Sequence, residues 1–389
     1  MEKKILFEML SRRHPEYKGM IGHWDFLRAT YEGGRDWFEK NIFPYMKEGD
    51  TEFKERVKRA YRFNHSREVV DLVNKYTFKG EIRRNTDDAP PSVKKFWLSS
   101  TRKRVSIDTY MRYISKLASV YGRIWVVVDN VVESVGESVA ETRSQIYSYE
   151  VPPQDILDLS VDEDGDLRWI LIRERVRDDV DPFTSTGEVG YQYRLWTSSD
   201  WTLFKVRFKD SKGGFELANV EFDMETGVHD LGIVPVFWVD HMISEGTYTA
   251  PSLIGDIAYL DRACANYLSN LDAIIQDQTF SQLAIPAQSL LPGEEGHSKI
   301  MEAGTKRIFT FDGADGGKPF FLSPDPKQAE LIITSIKQII NEIYHSVGVA
   351  GERTKQDNSS GIDNSSGVAK AYDFERVNSL LVNKAASLE

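Results

Sequence analysis

Cysteine and long apolar runs are what this sequence most clearly lacks. Its 389 residues include one cysteine, Cys264, which cannot form an internal disulfide or a metal site of several thiolates. No apolar run approaches the roughly 20 residues that cross a bilayer. Residues 1–10 contain a short apolar run without a small-residue cleavage site. We therefore expect a soluble protein of a reducing, intracellular compartment, with neither a signal peptide nor a membrane segment.

Motifs that carry catalytic or metal chemistry are equally scarce. Residues 313–319 faintly resemble a phosphate-binding loop, but Pro319 follows Lys318 where that loop needs Ser or Thr and a backbone N–H. The histidines show no spacing typical of metal ligands, and no nucleophile elbow occurs. Asp162, Asp164 and Asp166 begin like a calcium loop without its central glycine and distal glutamate, so they predict a turn. We expect no enzymatic activity, no cofactor and no bound metal.

The net charge of −11 is divided unevenly along the chain. Residues 1–125 contain 27 Lys and Arg against 17 Asp and Glu, whereas residues 126–389 contain 22 against 43. Such a split suggests that the two parts meet different surroundings. A helix predicted over residues 52–77 has one basic face, which comprises Lys54, Arg56, Lys58, Arg59, Arg62 and Arg67. We favour a solvated helix face as its explanation, with nucleic-acid contact as the alternative.

The first third of the chain has the periodicity of helices. Trp24, Leu27 and Tyr31 recur at helical spacing before a pair of glycines, and another helix is predicted over residues 107–121. After Gly122 the pattern changes to that of strands. We expect a buried strand over 124–128, hairpins around 162–165 and 198–200, and further strands over 215–222 and 234–239.

Helical periodicity returns at residue 251. Seven apolar residues alternate steps of four and three, which predicts a helix over residues 252–283 with a coiled-coil-like seam. The seam comprises Leu253, Ile257, Leu260, Cys264, Tyr267, Leu271 and Ile274. Its polar positions hold four aspartates against the single cation Arg262, so we expect an acidic helix.

A second long helix follows a glycine-rich segment in which residues 307–311 and 319–322 predict short strands. Asp325 is its expected N-cap and Pro326 its first helical residue. Its apolar stripe comprises Ala329, Ile332, Ile336, Ile340, Ile343 and Val347. This stripe has more surface to bury than one small neighbour can cover.

Residues 350–367 are predicted to form a polar loop, and they contain the string Asn-Ser-Ser-Gly twice. A last helix is predicted over residues 368–388, with Phe374, Val377, Leu381 and Leu388 on one side. A polar loop between two helices, without a catalytic motif, indicates part of an assembly rather than an enzyme.

The order of these parts resembles the portal (head-to-tail connector) proteins of tailed bacteriophages. The resemblance covers most of the chain and rests on arrangement and on diffuse patterns. The matching strings are HPEYKGMIGHWDFLRATYEGG, RVKRAYRFNHSREVVDLV, GIVPVFWVDH leading into PSLIGDIAYLDRACANYLSNLDAIIQD, and SSGVAKAYDFERVNSLL after the polar loop.

The resemblance implies an α+β portal fold that assembles into a ring. Its parts would be a mixed wing (1–240, helical over 1–123 and β-rich over 124–240), a first stem helix (241–285), a small α/β clip (286–324), a second stem helix (325–347), a tunnel loop (348–367) and a wing helix (368–389). The helical crown that usually follows in this family is expected to be absent.

The same resemblance implies a function and partners. About twelve copies would form a ring at one capsid vertex, through which double-stranded DNA enters and leaves. The large terminase would dock first and head-tail adaptor proteins later, with the major capsid and scaffolding proteins as further partners. The protein would lie in the virion, and in the host cytoplasm during assembly, and would contact no membrane.

Three groups of residues receive roles in this scheme. Weak, sequence-independent DNA contact falls to the tunnel loop, through Arg353, Lys355, Gln356, Asn358, Ser359, Asn364 and Ser365. Terminase and adaptor contact falls to the clip, through Lys299, Lys306, Arg307 and Lys318. An acidic stem would repel phosphates and let DNA slide, through Asp256, Asp261, Asp272 and Asp277. Deletion of residues 356–366 should then impair packaging but leave rings intact.

Two other classes of function remain open. One is a different ring-forming structural protein, such as a tail or baseplate component, which would have no channel wide enough for duplex DNA. The other is a DNA-processing enzyme that grips its substrate with the basic N-terminal helices. It would need a metal-binding acidic cluster, and the sequence has no convincing one.

Overall fold

The protein is described from a computed structural model. Described are residues 3–45, 48–80, 82–85, 87–134, 142–208, 215–244, 248–279, 282–286, 308–311, 318, 320–322, 326–347 and 367–388. The fold mixes α-helices with largely antiparallel sheets, and the mixture of helix and sheet is what the sequence predicts. Among the described residues, no helix is both long enough and apolar enough to cross a membrane.

The chain divides into two compact units that each combine distant segments. Unit 1 comprises residues 1–32, 67–255 and 366–389, and unit 2 comprises residues 33–66 and 256–365.

Unit 1 contains helices at both ends of its sequence and two sheets between them. Its helices are α1 (Lys3–Ser11), α2 (Pro15–Glu32), most of α5 (His65–Thr77), α6 (Pro91–Leu98), α7 (Ile107–Tyr121) and α10 (Gly367–Ala386). Its strands are β1 (Arg123–Ser134), β2 (Thr142–Val151), β3 (Ile156–Val161), β4 (Leu167–Arg177), β5 (Val189–Thr197), β6 (Asp200–Phe208), β7 (Val220–Val228) and β8 (Val236–Asp240).

The two sheets of unit 1 are antiparallel throughout. One has the strand order β2-β1-β8, and the other is a five-stranded meander in the order β3-β4-β5-β6-β7. Helix α1 covers the meander, because Leu6 and Leu10 pack with Leu157, Leu171 and Phe204 in one buried cluster. The β3–β4 turn confirms the prediction from the aspartate run, since the Asp162 carboxylate accepts backbone N–H bonds from Asp164 and Asp166.

Unit 2 is built around two long helices and a small sheet. Its helices are α3 (Arg35–Asn41), α4 (Asp50–Arg59), α8 (Ile257–Thr279) and α9 (Pro326–Ser346). The sheet places β9 (Gln282–Pro286) between β10 (Ile308–Phe311), which is parallel to it, and β11 (Phe320–Leu322), which is antiparallel. In sequence this sheet separates the two long helices.

Several predicted elements are confirmed. Helices α2, α7 and α9, both hairpins and the short strands β10 and β11 lie where the periodicity places them. Helix α7 ends at Gly122, whose φ of 88° is in the left-handed region that glycine favours.

The helix predicted over residues 52–77 is wrong as one element. It divides into α4 and α5, with a break over residues 60–64. Ala60 has an extended ψ of 138°. The Arg35 guanidinium donates hydrogen bonds to the carbonyls of Val57, Lys58 and Ala60. A side chain distant in sequence thus bonds the carbonyl groups that have no partner within the helix at the end of α4.

The first long helix is shorter than predicted at both ends. It spans 23 residues, Ile257–Thr279, rather than 252–283. At its start, the Ser252 hydroxyl donates to the carbonyls of Ser119 and Val120 and so caps α7 instead. At its end, residues 282–286 form strand β9.

One strand of the meander is also displaced. The strand predicted over 215–222 begins at Val220 and continues to Val228. Phe215 instead stacks on Phe7 of α1, with ring centroids 5.0 Å apart. The apolar alternation extends back to Phe215, before the strand begins, because Phe215 is half-buried against α1.

Candidate functional site on the paired helices of unit 2

Helices α8 and α9 pack along apolar faces. Cys264, Leu268 and Ile336 form the buried centre, and half-buried isoleucines of α9 surround them. The pair is antiparallel, because neighbouring residues of α5 contact the start of α8 and the end of α9. Ser66 donates to the Asp261 carboxylate, and His65 Nδ1 lies 3.1 Å from the Tyr344 hydroxyl.

The predicted seam of α8 is partly wrong. Ile257 and Cys264 are buried as expected, but Tyr267 is 38% exposed. The buried face instead continues through Asp261, Leu268 and Ser269. The buried face therefore contains the Asp261 carboxylate, which a pattern of regularly spaced apolar residues does not detect.

Asp261 is fully buried and lies in a polar cluster. Its Oδ2 atom accepts hydrogen bonds from Arg62 Nη1 at 3.1 Å, from the Ser66 backbone N–H at 3.1 Å and from the Ser66 hydroxyl at 2.8 Å. The Arg62 guanidinium also lies 3.8 Å from the centroid of the Trp37 ring. Because a buried carboxylate is stable only when it is paired, Asp261 holds the break between α4 and α5 against α8.

A second buried arginine makes a similar connection. Arg56 forms a bidentate pair with Glu48, at 2.8 and 2.7 Å, and its Nη1 atom donates to the Ser269 hydroxyl of α8 at 2.8 Å. The hydrogen bond from Arg56 holds the pKa of Glu48 below its usual value. One turn further along α4, Arg59 Nε lies 3.1 Å from the Asp272 carboxylate.

These contacts change the interpretation of the basic face of residues 52–77. The prediction of a solvated helix face is confirmed for Lys54 and Lys58, which are exposed. It is wrong for Arg56 and Arg62, which are buried and bound to α8 or its neighbours. Arginines 56, 59 and 62 pair with groups inside unit 2, so nucleic-acid contact is not needed to explain them.

The four predicted stem aspartates do not share one environment. Asp256 is exposed at the start of α8, whereas Asp261 is buried and Asp272 pairs with Arg59. Asp277 belongs to α8, but its side chain lies outside the described part of the chain. The structure thus removes Asp261 from any acidic surface and lowers the charge around Asp272.

The outer faces of the two helices retain exposed apolar side chains. Leu331 and Ile333 of α9 are 69% and 40% exposed, and Tyr259 and Ile275 of α8 are 43% and 46% exposed. The predicted stripe of α9 is in contrast largely covered, with Ile336, Ile343 and Val347 buried. The most exposed apolar side chains of α9 therefore lie beside the predicted stripe rather than on it.

Most of the predicted contact residues lie outside the described residues. This holds for the seven tunnel-loop residues from Arg353 to Ser365 and for Lys299, Lys306 and Arg307 of the clip. Lys318 is described and exposed. The roles assigned to all of them stay predictions.

A buried lysine in unit 1 was missed by sequence reasoning. Lys384 of α10 is fully buried, and its Nζ atom donates to the Ser115 carbonyl at 3.1 Å and to the Ser119 hydroxyl at 2.6 Å. It also lies 3.1 Å from His241 Nδ1. The sequence did contain a signal for its burial. Positions 377, 381, 384 and 388 share one face of a helix, and the three residues other than Lys384 are apolar.

The environment of Lys384 shifts two titrations. Burial lowers the pKa of Lys384 to about 7. Burial, and in second place the nearby Lys384, lowers the pKa of His241 to about 3. An uncharged imidazole then accepts at Nδ1, so this cluster anchors α10 to α7 without requiring a charge on His241.

Among the described residues, no group of three or more His, Cys, Asp or Glu side chains is arranged to hold a metal ion. No protein-family model and no curated protein matches this chain.

Proposed function

We propose that this protein is a structural subunit of a ring that surrounds a passage for double-stranded DNA, as the portal of a tailed-phage capsid. The observation that carries the proposal is the course of unit 2. Helix α8 leads into the small sheet β9–β11, and helix α9 returns antiparallel to α8. The order helix, small sheet, helix is the one expected of a stem, a clip and a second stem.

The exposed apolar side chains of the helix pair support assembly. In a monomer, Leu331 and Ile333 keep apolar surface in contact with water. Burial of that surface would stabilise an assembly by about 25 cal/mol for each Å². A neighbouring copy that packs its own helix pair against this face would bury them. Repetition of one such contact produces a closed ring when the rotation between copies is a simple fraction of a turn.

The charges of the helix pair support a passage that does not retain DNA. Arg56, Arg59 and Arg62 are committed to partners within unit 2, so they are not available to bind phosphates. The exposed residues of α9 include Glu330, Lys337 and Glu342, which alternate in sign. Affinity for duplex DNA rises with the number of phosphates that cations neutralise. A surface of this kind would let a duplex slide.

The further roles belong to the same proposal. The sheet β9–β11 and the adjoining clip residues would receive the large terminase and later the head-tail adaptors. The protein would act without catalysing a reaction and would reside at the portal vertex of the virion. The tunnel loop would provide the weak contacts to DNA.

Electron microscopy of the negatively stained, purified full chain tests this proposal, with the particle mass measured in parallel. We expect rings of about twelve copies around an axial hole wide enough for duplex DNA. Rings without such a hole would favour a tail or baseplate component instead. A monomer or a closed dimer at every concentration would overturn the proposal.

A further inference from the structure

The hairpin between β4 and β5 ends in a loop, residues 178–188, that presents two bare apolar side chains. Val180 is 92% exposed and Phe183 is 94% exposed, the largest exposures among the large apolar residues that the structure describes. Most exposed apolar residues need no explanation, but a large aromatic ring at the tip of a protrusion is a typical anchor for a partner.

The loop is structured by its own hydrogen bonds. The Asp178 carboxylate accepts from the Thr186 backbone N–H at 2.9 Å, and the Asp181 carboxylate accepts from the Phe183 backbone N–H at 2.9 Å. The Asp181 backbone N–H in turn donates to the Ser185 hydroxyl at 3.0 Å. Phe183 is therefore held outward by a preformed turn, which reduces the entropy lost when a partner binds it.

The same hydrogen bonds keep the loop acidic. The bond from the Thr186 backbone N–H lowers the pKa of Asp178, and the bond from the Phe183 backbone N–H lowers the pKa of Asp181. Asp179 and Glu188 add two more carboxylates, and Arg177 is the one nearby cation in the sequence from 177 to 188. The partner surface should thus be aromatic or apolar at its centre and basic at its edge.

Unit 1 contains a cleft of this character, with a volume of about 820 Å³. We name it the tyrosine–arginine cleft. Its walls come from α7, β2, β4 and β5, and from the turn that precedes α7. It is lined by four tyrosines (Tyr110, Tyr113, Tyr147 and Tyr149), five cations (Arg102, Lys103, Arg173, Arg175 and Arg194) and three acids (Glu150, Asp155 and Glu174).

The cations of the cleft are not all neutralised. Arg173 pairs with Asp155 at 2.7 Å, and Arg194 pairs with Glu174 at 2.9 Å. Lys103 and Arg175 are exposed, and neither forms an ion pair with the residues that the structure describes. The cleft therefore offers two uncompensated cations beside phenol rings, which complements the acidic, aromatic tip of the loop.

We propose that the 178–188 loop of one copy docks, through Phe183 and its flanking carboxylates, in the tyrosine–arginine cleft of a second copy. This inference rests on the proposed ring in its choice of a second copy as the occupant. Because loop and cleft are different surfaces, each copy would use its loop on one neighbour and its cleft on the other. Such a head-to-tail contact closes into a ring or continues as a filament, whereas a two-fold dimer would need both contacts within one pair.

Disulfide trapping tests the docking. The chain has one native thiol, Cys264, and its burial keeps it from competing with introduced cysteines. The double variant Val180→Cys/Thr109→Cys places one thiol beside Phe183 and one in the cleft, and it keeps both the aromatic anchor and the two cations. It is oxidised and separated by electrophoresis without reductant. We expect a ladder of covalent dimers, trimers and higher multiples. The matched control is Val180→Cys/Lys4→Cys, since the Lys4 side chain is 73% exposed and lies outside the cleft.

The control should yield at least about tenfold less material above the dimer, because a disulfide requires Cα atoms within about 7 Å. Equal ladders in the two variants would overturn the docking, as would an internal disulfide within a monomer. Only dimers in both variants would also overturn it.

A second variant separates this inference from the proposed ring. Phe183→Ala removes an exposed side chain, so it should fold normally yet weaken assembly by at least about tenfold in dissociation constant. Rings of Phe183→Ala that are as stable as those of the wild type would overturn the docking and leave the ring intact. Trapped ladders from a protein that forms filaments or open chains would support the docking and overturn the ring.

Discussion

Asp261 illustrates how one carboxylate fixes the path of two distant segments. It has no exposed surface, and its Oδ2 atom accepts three hydrogen bonds from Arg62 and Ser66, about 200 residues earlier in the sequence. A buried charge affects the free energy of unfolding mainly because its removal leaves a buried partner unpaired. Removal of one partner strands the other in a medium of low polarity.

Arg62→Met should therefore lower the free energy of unfolding by about 3–5 kcal/mol, because the buried Asp261 carboxylate loses its cationic partner. The double variant Arg62→Met/Asp261→Leu should recover most of that loss, since no buried charge then remains. Urea unfolding of both variants measures the difference.

Lys58→Met is the matched control for Arg62→Met. Lys58 lies on the neighbouring α4 in an exposed pair with Glu55, with side chains 69% and 55% exposed. Exposed pairs of this kind contribute less than about 1 kcal/mol. A loss for Arg62→Met no larger than that of Lys58→Met would refute the buried pair.

Lys384 predicts how stability changes with pH. Its folded pKa is lowered to about 7, whereas an unfolded lysine titrates near about 10.4. Between these two values the unfolded chain binds more protons than the folded chain, so the free energy of unfolding rises with pH. Below about pH 7 both states are protonated, and the penalty of burying the charge is constant.

Lys384→Met should abolish this rise. Between pH 7 and 9, the unfolding free energy of the wild type should increase relative to that of the variant by about 1–3 kcal/mol, since one proton contributes at most about 1.4 kcal/mol per pH unit. Denaturant titrations at the two pH values measure it, with the exposed Lys4→Met as the reference. A constant difference between wild type and variant would contradict the lowered pKa.

At the scale of elements, the junction of α7 and β1 depends on a missing side chain. Gly122 has a φ of +88°, and a Cβ atom there would lie 1.9 Å from the carbonyl oxygen of Ala250. Backbone conformation and close packing therefore both require glycine at this position.

Gly122→Ala should lower the free energy of unfolding by about 3 kcal/mol or more, because strain and a backbone clash add together. Gly165→Ala is the matched control. Gly165 has a similar φ of +91°, but a Cβ atom there would meet nothing within 4 Å, so we expect a loss of about 1 kcal/mol. Thermal or urea unfolding of the two variants gives the comparison, and equal losses would show that the Ala250 contact is unimportant.

The predictability of individual elements follows from where their determinants lie. Helix α7 and the two hairpins are specified by local periodicity, by glycine and by turn residues, so the sequence predicts them well. The break after α4 is specified by Arg35, more than 20 residues earlier, and by Asp261, about 200 residues later. Local patterns contain no information about such partners.

The same argument limits what the sequence reveals about the site. The helix pair and its small sheet were predictable, because long apolar stripes and a capping pattern mark them. The pairing of Asp272 with Arg59 and of Asp261 with Arg62 was not predictable, because the sequence pattern of one segment does not show which charges of another segment lie beside it. The sequence predicts Asp261 on the acidic side of α8, whereas the structure buries it.

At the scale of the whole molecule, the uneven charge of the chain has a partly internal explanation. Three arginines of residues 33–66 pair with or bind groups near or on α8 within unit 2. Part of the excess positive charge of the first third is therefore paired with the acidic later segment. Less of it faces solvent than the sequence suggests.

Leu331 provides a whole-molecule test of which face joins the copies. Leu331→Asn should weaken assembly by about tenfold or more, because a buried leucine at an interface contributes about 1.5–3 kcal/mol. The folded subunit should be unaffected, since this side chain is 69% exposed. Sedimentation velocity over a range of concentrations measures the effect.

Gln338→Asn is the matched control for Leu331→Asn. It lies two turns further along the same face of α9 and is also exposed. An equal effect of the two substitutions would show that assembly does not depend on the apolar character of Leu331.

The anchoring of α10 by Lys384 sets an order of events during synthesis on the ribosome. Ser119 and His241 emerge long before Lys384, which follows His241 by 143 residues. At about 5–20 residues translated per second, the cavity for the lysine stays open for about 7–30 s. Residues 256–365 are therefore all synthesised before Lys384 can complete the packing of unit 1. Nascent chains stalled before residue 384 should be cleaved by protease within unit 1 more readily than chains stalled well beyond it.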